Sequence, residues 1–283
     1  MPHDDQIVAR VPLVNFYALD ALRKPDVLGG TPGPSAIIKS ECADDTDYRD
    51  GSNSWRSIST PREKMTGPPR YNIAPTQPIP VIRQHAKEPR GVLSLVRWGL
   101  IPSWAKDMSG AAGVINARSE TAVTKPAFRD PIKFRRCLVP ADGFYEWVRK
   151  EKIKQPFSFE VNDGELFAFS GLWDRWRDPS GQWIKSCSIL TTTPNAVTAA
   201  VHDRMPVILR KDNYDLWLDP GMTNVELLSD LLRPFDAHSM RSYPVSSCVN
   251  QCKTMIRNAL PPLNCSSLHK LSCFLEQIFR SNH

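Results

Sequence analysis

Nowhere in its 283 residues does the chain string together the roughly 18 apolar residues that a membrane-spanning helix needs. Its opening, Met1-Pro2-His3-Asp4-Asp5, is acidic and lacks the basic-then-apolar layout of a secretory signal. The sequence therefore reads as a nuclear or cytoplasmic protein with no membrane partner. Its seven cysteines are odd in number and form no paired framework, which reads as reduced thiols. Cys248, Cys252, Cys265 and Cys273 lie near His269, but structural zinc wants closer pairs of ligands. No metal and no cofactor is expected. A phosphate-cradling glycine loop, an HExxH helix and a GxSxG elbow are all missing. So are internal repeats, heptads and low-complexity tracts.

Hydrophobic residues make up 41% and charged residues 23%, ample for a packed core. The net charge of +6 is unevenly spread: residues 1–65 carry eight basic and ten acidic side chains, and residues 66–283 carry 28 and 20. A basic body attracts polyanions, because neutralising phosphates releases condensed counterions. A merely soluble basic surface would look the same.

Residues 1–65 read as a poorly ordered or divergent extension. They contain the breaker cluster Gly29-Gly30-Thr31-Pro32-Gly33-Pro34, and nothing in residues 1–10 resembles a docked strand. Residues 66–250 read as one β-rich α+β domain of short strands with short flanking helices. Strand candidates include 92–98, 137–139, 144–148, 157–161, 166–170, 186–193 and 206–209. Phe157, Phe159 and Val161 alternate with polar residues, as in a strand with one solvated face. Asn162-Asp163-Gly164 signals a hairpin, and Thr223 is placed to cap a helix burying Val225, Leu228 and Leu232. Residues 251–283 read as a tail whose Leu268, Leu271, Leu275, Ile278 and Phe279 recur at helical spacing.

Several residues carry chemistry that a plain core does not need. Glu146 alternates with Tyr145 and Trp147 on a strand, where bulk beside a carboxylate raises its pKa toward proton-transfer range. A surface glutamate on an amphipathic edge would follow the same pattern. His202 is a candidate proton shuttle or a structural imidazole. Asn116 and Arg118, two apart, share one face of an extended segment, fitting an amide that orients a nucleophile and a guanidinium that grips phosphate. A turn with a solvated arginine is the alternative. Trp98 and Trp104 flank a Gly-Leu-Ile-Pro-Ser loop as stacking aromatics or as a hydrophobic minicore.

The stretches YNIAPTQ, RWGLIPSWAKD, INARSET, RRCLVPADGFYEW, SGLWD, ILTTTPN and HDRMPVIL fall in that order over residues 71–209. Together they resemble the SOS-response-associated peptidase (SRAP) family. The resemblance implies a monomeric, β-rich domain that binds single-stranded DNA, recognises abasic sites and crosslinks to them through an N-terminal cysteine exposed by autoproteolysis. By motif position, Asn116 would orient that nucleophile, Glu146 would act as general acid and base, and His202 would assist ring opening and crosslink reversal. Asn72, Trp98, Trp104, Arg118, Arg136 and Arg204 would contact DNA or line the pocket. The family pattern opens Met-Cys-Gly-Arg, whereas here the first cysteine is Cys42, in an acidic stretch. Either both chain ends are altered relative to a functional relative, which is the favoured expectation, or the covalent step is missing. An iminium at the Pro2 amine is a third route.

Overall fold

Alternating apolar residues in short runs make the described part of the chain rich in β-structure. The computed structural model describes residues 8–11, 70–84, 91–150 and 153–250. Among them are thirteen strands and four short α-helices. Five strands form one sheet: β1 (Val8–Val11), β2 (Arg70–Ile73), β7 (Gly143–Lys150), β8 (Ile153–Val161) and β13 (Met240–Pro244). Their order is β13-β8-β7-β1-β2. The larger sheet comprises β3 (Pro78–Gln84), β4 (Gly91–Trp98), β5 (Asn116–Arg118), β6 (Arg136–Ala141), β9 (Phe167–Arg177), β10 (Trp183–Thr192), β11 (Met205–Pro206) and β12 (Ile208–Leu209). It runs β11-β10-β4-β3-β6-β9-β12, and β10 also pairs with β9. The β10-β4-β3-β6-β9 path therefore closes on itself, which removes the exposed edges that an open sheet must protect.

Strand periodicity divides the core in two. Phe167 and Phe169 of β9, Cys187 and Ile189 of β10, and Val139 of β6 share one cluster with Ile73, Phe144 and Phe159 of the five-stranded sheet. Ala168, Leu172, Leu190 and Leu138, on the opposite face, pack with helix residues. The helices are α1 (Ser119–Ala122), α2 (Pro131–Phe134), α3 (Tyr214–Leu218) and α4 (Val225–Asp230). The first cluster thus joins the two sheets, and the second seats the helices. No helix among the described residues is long and apolar enough to cross a membrane.

The expected strands form, with several corrections. β1 docks between β2 and β7, with Val8 opposite Tyr145 and Ala9 opposite both Phe144 and Ile73. Four residues are too few for periodicity to reveal such a strand, and tertiary pairing makes it. Asn162, Asp163 and Gly164 do adopt positive φ (43°, 59° and 83°). They link β8 to β9, however, which lie in different sheets, so the turn is a corner between sheets and not a hairpin. The polar face of β8 is also not solvated: Ser158 and Glu160 are buried, and Glu160 accepts hydrogen bonds from Arg241 and Tyr243 of the neighbouring β13. Asn224, not Thr223, caps α4, its Oδ1 accepting from the Glu226 and Leu227 amides. The proposed helix over 268–279 lies outside the described residues.

One connection prepares the site. β4 and β5 both run parallel to β10, at Ser186–Cys187 and Ile189–Thr191. β9, as far as Ile189, and then β11, from Thr191, occupy the opposite edge of β10, so β4 and β5 lie end to end along one edge. Between them residues 99–115 leave the sheet and return. The neck of this excursion is tied where the Gly99 amide donates to Cys187 O (2.9 Å) and the Leu100 amide to Val114 O (3.0 Å). Gly99 has φ +123°, and a Cβ there would stand 2.7 Å from Ala111 O, so the tie requires glycine.

Candidate functional site

The register fixes where two of the three expected catalytic side chains project. Asn116 pairs with Ile189, which belongs to the cluster between the sheets, while the next pair, Ala117 and Leu190, belongs to the helix-covered cluster. Paired residues share a face, so Asn116 and Arg118 are on the inter-sheet face. On β7 the same alternation puts Phe144 in the inter-sheet cluster and Tyr145 and Trp147 in a small cluster behind the sheet, with Val245 and Val249. Glu146, 3% exposed, therefore shares the face of Phe144. Asn116 and Glu146 approach one apolar cluster from opposing sheets. The start of β1 adjoins this carboxylate, since Val8 pairs with the residue before it.

His202 enters from the loop between β10 and β11. Asn195 organises that loop: its Oδ1 accepts from the Val197 and Thr198 amides, and its Nδ2 donates to Phe235 O at 2.8 Å. The turn continues to His202, whose amide donates to Thr198 O. Val201 packs on the inter-sheet cluster, and Met205 belongs to it. The Arg204 amide lies 3.1 Å from His202 Nδ1 and the Arg204 carbonyl oxygen 3.2 Å from it, so backbone groups of Arg204 hold the ring through that nitrogen. Asp203 Oδ1 stands 3.3 Å from the same nitrogen.

Four expected DNA contacts do something else. Trp98 is fully buried, and its indole N–H donates to Ile115 O at 2.9 Å. It cannot stack on a base; it closes the neck of the excursion immediately before Asn116. Arg136 is buried as well, its guanidinium donating to the carbonyls of Ile132, Lys133, Trp217 and Asp219. It serves as a shared cap for the C-terminal ends of α2 and α3, where carbonyls lack helical partners. Burial lowers its pKa to about 10. Asn72 does not share the face of Glu146: it neighbours the inter-sheet Ile73 and donates to Val249 O at 2.6 Å behind the sheet. Arg204 forms a bidentate pair with Glu120 (2.9 Å to each oxygen) and donates to Thr191 O. That pair ties the His202 loop to α1, which begins directly after Arg118, and the hydrogen bonds from Arg204 hold the Glu120 carboxyl below its usual range.

Arg118 and Trp104 remain exposed, Trp104 at 66%. Sequence reading missed the positioning roles of Glu120, Thr191 and Asn195. The Pro-Asn pair at 194–195 was a local turn signal, whereas a Glu–Arg pair 84 residues apart leaves none. Among the described residues no cluster of His, Cys, Asp or Glu is arranged to hold a metal. Most of the Cys248–Cys273 group lies outside them.

Comparison with known proteins places this geometry in a family. The family model of the SOS response associated peptidase (SRAP) matches residues 41–252. The Bacillus subtilis abasic site processing protein YoqW is 46% identical over 186 residues, 65% of this chain and 82% of that protein. The abasic site processing protein HMCES of Rattus norvegicus is 31% identical over 231 residues, 69% of this chain and 65% of its own length. A crystal structure of a Bacteroides thetaiotaomicron protein superimposes with a TM-score of 0.58 at 29% identity, covering 70% of this chain and 84% of that one. With a family match spanning most of the chain and the fold shared with a solved relative, the chain belongs to the SOS response associated peptidase (SRAP) family.

Proposed function

We propose that this chain processes abasic sites in single-stranded DNA, acting as a monomer without a metal. The observation that carries the reading is the approach of Asn116 and Glu146 to one inter-sheet space from opposing sheets, with His202 on a loop clamped beside Arg118. An abasic sugar exists partly as an open aldehyde, and opening its ring needs a proton moved between the ring oxygen and the C1 hydroxyl. Glu146 and His202 perform that transfer, Asn116 orients the attacking group, and Arg118 holds a flanking phosphate. Trp104 stacks on an unpaired base, which duplex DNA does not offer. Relatives named for abasic-site processing support the assignment.

A second reading, non-covalent binding of the lesion, draws on the cysteines. Cys137 and Cys187 are fully buried, and burial pushes both thiols up, so neither is a nucleophile. A covalent bond would need a nucleophile other than these two thiols.

Incubation with abasic single-stranded DNA, followed by a denaturing gel, separates the two. A shifted band that Glu146→Gln slows by about 100-fold or more, with affinity within about twofold of wild type, is the expected outcome. Affinity without a band leaves the binding reading alone, and no preference for abasic over intact DNA overturns both.

A further inference from the structure

We propose that a groove beside the 103–105 turn is a second subsite for unpaired nucleotides, distinct from the lesion site. The proposal rests on the abasic-DNA reading and extends it along the strand. The groove has a volume of about 390 Å³ and is bordered by Trp104, Arg135, Asp174, Arg175, Arg177 and Trp183. None of Asn116, Glu146 or His202 lines it.

The groove is built from rigid parts. Asp174, 3% exposed, accepts the Ser103 amide at 3.0 Å, and the Trp176 indole donates to Ala105 O at 2.6 Å. These two bonds fasten the turn that holds Trp104 outward. Across the groove Trp183 is 53% exposed, with the Arg175 and Arg177 guanidiniums 5.0 and 5.9 Å from its ring. Guanidiniums stacked on an indole are pre-ordered cations. The carboxylate present, Asp174, is buried and lies 3.2 Å from Arg135 Nε, so the groove presents indoles and positive charge. Unpaired nucleic acid supplies the complement, a π-face and a phosphate at every step.

Distance sets the register. Trp183 precedes Ile189, the partner of Asn116, by six strand residues. At about 3.3 Å per residue the subsite lies about 20 Å from the lesion residues. A stacked strand covers that span in about six nucleotides at about 3.4 Å each, and an extended strand in fewer. One flanking nucleotide is therefore too few on either path, and twelve are ample.

The test is fluorescence anisotropy with the full chain and abasic oligonucleotides carrying one or twelve nucleotides on each side of the lesion. Wild type is expected to bind the long form about tenfold or more tightly than the short one. Trp183→Ala and the double variant Arg175→Ala/Arg177→Ala lose that gain and keep short-oligonucleotide binding, while Trp183→Phe retains it. The double variant also lowers the salt slope for the long form by about 1.4, two phosphates at about 0.7 each. A wild type without the length gain, or a gain that survives in Trp183→Ala and the double variant, overturns the subsite. So does a poly-glutamate peptide that binds wild type but not these variants while the DNA gain is absent. If wild type binds neither oligonucleotide, the abasic-DNA reading itself has failed.

Discussion

Replacing Arg136 with methionine keeps an apolar stem of similar length and removes the guanidinium. In the folded protein that guanidinium donates to Trp217 O and Lys133 O at 2.6 Å, to Ile132 O at 2.8 Å and to Asp219 O. Its Cζ also stands 5.6 Å from the Trp217 ring centre. The substitution leaves two helix ends without the donor that satisfies them. Each stranded buried acceptor costs about 1–3 kcal/mol, but carbonyls near the rim regain water. With that recovery, losing a charged donor to four carbonyls costs about 3–5 kcal/mol in total, a large part of the 5–15 kcal/mol that holds a typical domain together. At about 2–4 °C per kcal/mol for a domain of this size, a loss of ~4 kcal/mol lowers Tm by about 8–16 °C. Urea unfolding followed by tryptophan fluorescence measures the loss directly. Arg136→Lys is expected to fall between, since it keeps the charge and loses the fork. A phosphate-contacting arginine behaves differently: stability would change by less than about 1 kcal/mol, and the salt slope of DNA binding would fall by about 0.7. That pair of results would refute the capping role.

Trp98→Phe keeps the ring and deletes the bond to Ile115 O, so it is expected to cost about 1–3 kcal/mol in urea unfolding. Because Ile115 precedes Asn116, the same variant slows abasic-site processing more than it weakens DNA affinity; an unchanged rate removes Trp98 from the positioning of Asn116. Arg118→Ala weakens binding and lowers the single-strand salt slope by about 0.7, read from affinities across a salt series. An unaltered slope counts against the phosphate contact.

The strands were legible because period-2 alternation is a local signal. The runs at 92–98, 144–148 and 157–161 all lie within observed strands. What they pair with is not local, and so the positive-φ turn at 162–164 was assigned to a hairpin when it joins two sheets. The motifs singled out Asn116, Glu146 and His202 as candidates, and alternation predicted that Glu146 opposes Tyr145 and Trp147. Burial decided the rest. Arg136 and Trp98 belong to segments rich in chemistry, yet their polar groups close backbone gaps. Only packing distinguishes an arginine that meets phosphate from one that meets carbonyls.

The pinned neck at Trp98, Gly99 and Leu100 gives the molecule a modular design. Strain or added length in the exposed stretch 106–110 ends at that neck and does not reach the strand carrying Asn116. Doubling a surface loop costs only about 0.6 kcal/mol of closure entropy. The outer part of the excursion is thus free to diversify while the strand beneath it stays constant.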